Sequence, residues 1–308
     1  MPSSPATLQI GVFPTEHQAV IDGELDCHTE QDIRHDAVLK ERIQAILMRS
    51  NYTVPITLLD ELPNLKVIST SGVGHDGIPL AQAQARGIVV TNTPGVLDAA
   101  VSELAVGLLL ALLRKLPGAD SFVRAGHWRQ GIFTLGSSLA GKTVGIVGLG
   151  RIGLGIARRL EGFDVKIAYT GGNSKSVPYR YTPDILQLAA ESDILILSCP
   201  GGEKTHHLVN AAVLERLGPK GFLVNVARGT VVDEAALLAA LEQKTLRGAA
   251  MDVFEKEPLE NSRLTQMDNV ILTPHMGSAT EETRRIMLRL ALDNIHNVLN
   301  GKAALTPV

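Results

Sequence analysis

Gly148, Gly150 and Gly153 close the stretch Thr143-Val144-Gly145-Ile146-Val147-Gly148-Leu149-Gly150-Arg151-Ile152-Gly153, and their spacing is where chemistry is first readable in the chain. An apolar, partly β-branched run leads into the glycines, and Leu154 to Leu160 continue with helical spacing. The order strand, glycine turn, helix is the context a dinucleotide-binding fingerprint requires. Gly148 makes the tight turn, Gly150 lets backbone amides approach a pyrophosphate, and Gly153 permits close packing of helix on strand, while the helix N-terminus supplies partial positive charge. Leu149, Arg151 and Ile152 complete this expected phosphate turn. Such a turn arises by chance in any α/β protein, but a second apolar run, Val165 to Tyr169, ends where a ribose-reading residue belongs, at Thr170.

Three ionisable residues each follow a later apolar run. Arg228 comes after Val224-Asn225-Val226-Ala227, Glu257 after Met251-Asp252-Val253-Phe254, and His275 after Leu272-Thr273-Pro274. Open α/β sheets bind ligands beyond the carboxyl ends of their strands. Singly, these residues read as a surface ion-pair arginine, a solvated carboxylate and a turn histidine. Placed together beside a nucleotide site, they read as a functional set. Ser71-Gly72-Val73-Gly74-His75-Asp76-Gly77 is a second glycine-rich turn whose amides could bind an anion, although alone it reads as a turn and helix cap.

The elements that must position these residues follow from hydrophobic patterning. Strands are expected at Leu8 to Phe13, Ala45 to Met48, Leu65 to Ser69 and Ile88 to Thr91, with helical spacing between them, giving a first α/β unit with a parallel sheet. Asn92-Thr93-Pro94-Gly95 signals a turn, and Asp98 caps an apolar helix running to about Arg114, a natural crossing between domains. Lys115 to Lys142 is expected to be a long irregular arm holding the only tryptophan, Trp128, which reads either as a subunit contact or as core filling. From Thr143 onward, strands at Val165, Asp193 to Leu197, Phe222 to Val226, Arg247 to Asp252 and Asn269 to Leu272 make six in a doubly wound sheet. An amphipathic helix from Thr280 to Leu299 ends the pattern.

Composition narrows the classes. The 308 residues, 45% hydrophobic and 20% charged, suit two globular domains. A net charge of −3 with scattered basic residues argues against nucleic acid as a ligand. The longest apolar run, Leu104 to Leu113, is too short to span a bilayer, and the N-terminus carries no basic, apolar leader, so a cytoplasmic protein is expected. Cys27 and Cys199 lie in no CxxC or Cys/His cluster, so neither a disulfide nor a metal site is expected.

The fingerprint, with Asn225-Val226-Ala227-Arg228-Gly229, Ala250-Met251-Asp252-Val253-Phe254-Glu255-Lys256-Glu257-Pro258 and Thr273-Pro274-His275-Met276-Gly277-Ser278, resembles the NAD(P)-dependent D-2-hydroxyacid dehydrogenases over nearly the whole chain. Among them it is most similar to the glyoxylate/hydroxypyruvate reductases, including those acting on hydroxyphenylpyruvate. The resemblance implies His275 as the acid/base residue, Glu257 as the carboxylate orienting its imidazole, and Arg228 as the cation binding the substrate carboxylate and polarising its carbonyl. The amides of Val73 and Gly74 would complete the carboxylate site. Asp252 would lie near the nicotinamide amide, and Cys199, Pro200, Ala227 and Gly277 would line the cofactor.

By the same resemblance, a Rossmann cofactor domain, residues 99–284, is inserted in a flavodoxin-like substrate domain, residues 1–98 and 285–308, with a cleft closing over a 2-oxo acid. A homodimer is expected. Where NAD-preferring relatives carry an acidic residue after the second strand, this chain reads Tyr169-Thr170-Gly171-Gly172-Asn173-Ser174-Lys175. No carboxylate is there to repel a 2′-phosphate, so NADP is favoured, with Thr170, Asn173, Ser174 and Lys175 as its contacts and NAD still open. The rival from another class is a nucleotide-sensing corepressor on the same fold, which the absence of basic patches opposes.

Overall fold

The computed structural model describes residues 6–260 and 262–308. The chain forms two compact units, one of Met1–Leu97 with Ser278–Val308 and the other of Asp98–Gly277. The second crossing thus stands at Ser278, directly after the glycine that ends the His275 turn, rather than at residue 285.

The first unit is built on five parallel strands, β1 (Ala6–Ile10), β2 (Asp26–His28), β3 (Ala45–Arg49), β4 (Val67–Ser71) and β5 (Val89–Thr91), in the order β2-β1-β3-β4-β5. This is the flavodoxin-like order. β2 escaped the sequence reading because Asp-Cys-His has no apolar run and all three residues are only partly buried. β3 and β4 are buried along almost their whole length, as a parallel sheet covered on both faces demands. One face is covered by the helix Glu281–Leu299, whose Leu288, Ala291, Leu292 and Ile295 pack with Ala45, Leu47 and Val67. Ser69 Oγ donates to the Ala291 carbonyl at 3.0 Å, fixing the helix against β4. Thr280 starts this helix by accepting the Thr283 amide.

The second unit holds seven strands: β6 (Thr143–Val147), β7 (Lys166–Thr170), β8 (Arg180–Tyr181), β9 (Ile194–Leu197), β10 (Phe222–Asn225), β11 (Gly248–Met251) and β12 (Val270–Leu272). Their order, β12-β11-β10-β9-β6-β7-β8, is doubly wound, with the reversal between β6 and β9. The six expected strands form. The additional edge strand, β8, has two residues and pairs with Ala168 and Tyr169, too short to leave a pattern in the sequence. The apolar helix Asp98–Arg114 begins at Asp98 itself. The first half of the arm expected to be irregular folds into a helix, Leu116–Arg124, and a short 3₁₀ turn, His127–Arg129, while residues 130–142 hold no helix or strand. Trp128 is 71% exposed, which removes core filling as its explanation.

Candidate active site

The fingerprint turn lies between β6 and the helix Arg151–Leu160, and its three glycines meet three different surroundings. Gly148 has φ +92°, which a side chain disfavours, and a Cβ there would stand 2.6 Å from Cys199 Cα. At Gly153 a Cβ would sit 2.1 Å from the Gly148 carbonyl oxygen, so helix and turn meet backbone to backbone. A Cβ on Gly150 would meet nothing within 4 Å, which leaves open space above the helix N-terminus where a pyrophosphate belongs. Ser198 Oγ donates to the Gly148 carbonyl at 2.8 Å, tying the turn to the end of β9 and bringing buried Cys199 against it. Pro200 follows, exposed. Leu149 is buried, the Ile152 carbonyl accepts from Ser102 Oγ, and Arg151 faces Asp98 at 3.5 Å.

The loop after β7 differs from expectation in one residue. Thr170 is 5% exposed and its hydroxyl donates to the Pro183 carbonyl at 3.2 Å, so its side chain points into the unit. Lys175 takes the prominent position instead. Its ammonium donates to the Leu149 carbonyl at 2.6 Å, placing a cation on the fingerprint turn, and its amide donates to Tyr169 Oη. Asn173 and Ser174 are exposed beside it.

β10, β11 and β12 are neighbours in parallel register, so the loops that follow them leave the same edge of the sheet. From that edge Glu257 and His275 meet: Oε2 of the carboxylate lies 2.6 Å from Nδ1 of the ring, with the side chains 20% and 25% exposed. A carboxylate can only accept, so the proton of this bond is on Nδ1, and Nε2 is left as the ring atom that can exchange a proton elsewhere. Glu257 is held in turn by the Phe254 amide, which donates to Oε1 at 3.1 Å.

The His275 backbone is in the left-handed region, φ +49°. Its conformation is held by Asp252. The His275 amide donates to the Asp252 carbonyl at 2.8 Å, the Met276 amide to Oδ1 at 2.9 Å and the Gly277 amide to Oδ2 at 2.8 Å. Thr273 Oγ1 adds a fourth bond, to Oδ1 at 2.6 Å. Burial pushes the Asp252 carboxyl above the usual range, against the pull of these donors and of His275. The carboxylate that resemblance assigned to the cofactor is therefore also the post around which the histidine turn is wound.

Arg228 follows β10, half-buried, with Nη1 donating to the Ala227 carbonyl at 2.8 Å. Asn225 shapes this turn from within the sheet. It is fully buried, its Oδ1 accepts the Ala227 amide and its Nδ2 donates to the Arg228 carbonyl, both at 3.0 Å. The sequence marks Asn225 only as a polar residue closing an otherwise apolar strand, which does not disclose this task. Gly229 was missed similarly: a Cβ there would fall 1.8 Å from the Phe254 carbonyl carbon, so the arginine turn and the Glu257 loop touch through their backbones. Val73 and Gly74 belong to the other unit, in the loop after β4, where the Val73 carbonyl accepts from Asn92 Nδ2 at 2.8 Å.

Comparison with known proteins agrees with this architecture. Residues 106–277 match the family model described as D-isomer specific 2-hydroxyacid dehydrogenase, NAD binding domain. The chain is 46% identical over 270 residues to a glyoxylate/hydroxypyruvate reductase A of Arabidopsis thaliana, covering 87% of this chain and 86% of that protein. It is 39% identical over 309 residues to a 2-ketogluconate reductase of Gluconobacter oxydans, covering all of both chains. A crystal structure of an NADPH-dependent glyoxylate/hydroxypyruvate reductase of Sinorhizobium meliloti, in complex with NADP and malonate, superposes with a TM-score of 0.93 at 42% identity, covering 99% of this chain and 97% of that one. No helix among the described residues is long and apolar enough to cross a membrane. With a glycine turn shaped for a dinucleotide and an acid pair at the edge of a doubly wound sheet, the chain belongs to the D-isomer specific 2-hydroxyacid dehydrogenases and is an NAD(P)-dependent oxidoreductase.

Proposed function

We propose that the protein reduces small 2-oxo acids of the glyoxylate and hydroxypyruvate type to D-2-hydroxy acids, with NADPH as the preferred reductant. The observation that carries the chemistry is the 2.6 Å contact between Glu257 and His275, which supplies a proton donor of fixed orientation. When bound, the nicotinamide supplies a hydride to the carbonyl carbon. Arg228 binds the substrate carboxylate and draws charge toward the carbonyl oxygen, and the carboxylate-binding role of the Val73 and Gly74 amides rests on resemblance alone. His275 then delivers the Nε2 proton to the oxygen as it becomes an alkoxide, and Glu257 balances the imidazolium beforehand.

The preference for NADPH rests on Lys175 at the fingerprint turn and the absence of a carboxylate from residues 170–175. Exposed Leu116, Val123, Trp128, Ile132 and Leu135 on the 115–142 arm support a homodimer formed there. Two free thiols, Cys27 and Cys199, fit a cytoplasmic protein. A second reading, reduction of aromatic 2-oxo acids, is supported by 44% identity over 273 residues to a hydroxyphenylpyruvate reductase of Plectranthus scutellarioides. A steady-state screen of glyoxylate, hydroxypyruvate, 2-ketogluconate and hydroxyphenylpyruvate with NADPH and NADH tests both readings. The highest kcat/KM is expected for one of the first two with NADPH; no turnover of any 2-oxo acid would refute the function.

A further inference from the structure

Glu257 sits on a loop with no regular structure, yet it must hold the imidazole to within a fraction of an ångström for proton delivery. What fixes that loop lies at the start of the helix that follows β10. Beyond Arg228 the chain turns through Gly229–Val231 and enters the helix Glu234–Glu242. Glu234 and Glu255 bind one another reciprocally across 21 residues: the Glu255 amide donates to Glu234 Oε1 at 2.6 Å, and the Glu234 amide donates to Glu255 Oε1 at 3.2 Å. The same Glu255 oxygen lies 2.8 Å from His207 Nε2, which joins the segment after β9 to the pair. The backbones of Gly229 and Phe254 meet just behind this clasp.

We infer that Glu234 is a positioning residue for the proposed reaction: its clasp with Glu255 locks the loop bearing Glu257 to the segment bearing Arg228, so that proton donor and substrate cation keep one geometry. Glu234 acts through Glu257 and touches neither His275 nor substrate. Its carboxyl is held above the usual range, first by burial and then by the negative charges of Glu255 and Glu257, while the Glu255 amide pulls it down. The charged groups facing it are therefore Glu255 and Glu257 from the loop after β11, with Asp233 beside it in the chain and His207 beyond Glu255.

This inference rests on the reading of His275 and Glu257 as the acid pair, and its test separates the two. In Glu234→Ala the acceptor and the charge both disappear; in Glu234→Gln the acceptor remains. Kinetics of 2-oxo acid reduction should show Glu234→Ala losing about tenfold in kcat with little change in KM for NADPH, and Glu234→Gln recovering to within about threefold. Hydrogen exchange at the Glu255 amide should accelerate in Glu234→Ala and stay slow in Glu234→Gln. Glu234→Gln no more active than Glu234→Ala would overturn the inference, and so would Glu234→Ala with unaltered kcat and a protected Glu255 amide. Should Glu234→Ala fail to fold, Glu234→Asp decides in its place: its carboxylate, one methylene shorter, loses the Glu255 amide, and unaltered kcat there overturns the inference. Absence of any reductase activity in the unaltered protein would defeat the functional reading, while exchange would still judge the clasp.

Discussion

Replacing Glu257 by glutamine removes one negative charge and keeps nearly the same shape and an oxygen able to accept the Nδ1 proton. With Nδ1 and Oε2 2.6 Å apart, the centres of charge of imidazolium and carboxylate are separated by roughly 4 Å. At an effective dielectric of about 20 to 80 their attraction is about 1 to 4 kcal/mol. The side chains are 25% and 20% exposed, so water screens the pair and the lower half of that range applies. An attraction of about 1 to 2 kcal/mol weights the charged ring over the neutral one by about 5- to 30-fold.

The direction is set by the proton. Reduction requires the protonated ring and oxidation the neutral one. Without the Glu257 charge the protonated form is less favoured, so at alkaline pH, where a charged ring is hardest to keep, both directions should lose about 5- to 30-fold, equally where cofactor binding is unaltered. At acidic pH both should stay within about threefold of the unaltered enzyme, because the ring is still oriented. Steady-state rates in both directions, with saturating cofactor and from about pH 5 to about pH 10, provide the assay. A rate that falls by the same factor at every pH would refute the electrostatic account and leave Glu257 as a structural support only.

Arg228→Lys should lower kcat/KM by on the order of a hundredfold, because an ammonium cannot present two parallel donors to a carboxylate; near-unaltered kinetics would remove Arg228 from the site. Since Thr170 is buried, the charge that selects the cofactor should be tested at Lys175: Lys175→Glu should lower the ratio of kcat/KM for NADPH over NADH at least about tenfold by setting a carboxylate against a 2′-phosphate, and an unchanged ratio would refute the assignment. Burial pushes the Cys27 thiol up to about 12 and the Cys199 thiol up to about 11, so at pH 8 both stay protonated in the folded chain and should resist a thiolate-selective reagent until denaturant is added. Rapid labelling of the native protein would contradict their burial.

The second unit was legible because its signals are local and redundant. Apolar runs end in glycines or ionisable residues at the strand ends, so the positions of Gly148, Arg228, Glu257 and His275 at those ends are readable from the sequence. Pattern reading failed where pairing, not hydrophobicity, makes the strand: Asp26–His28 and Arg180–Tyr181 are short edge strands, partly or wholly accessible, fixed by hydrogen bonds to a neighbour the sequence does not reveal. The arm was misjudged for a related reason. Gly118 and Pro117 punctuate it, but Pro117 lies in the first turn of the helix Leu116–Arg124, where its missing amide costs nothing. Thr170 was read as a ligand contact from position alone, and only the Pro183 carbonyl in its reach shows which way it faces. The tasks of Asn225, Gly229 and Glu234 depend on contacts between loops far apart in sequence, and no periodicity encodes those.

The turn at His275 has a consequence for how this chemistry can change. Its three successive amides, at 275, 276 and 277, all donate to one residue, Asp252, and none of these bonds involves the imidazole. The backbone geometry is thus independent of the side chain it presents, and Asn, which tolerates a left-handed φ, fits the same turn. Proton donor and mounting are separable: the acid at this edge can be exchanged for another group without rebuilding the sheet, and a histidine lost by mutation can be regained in a single step onto an intact platform.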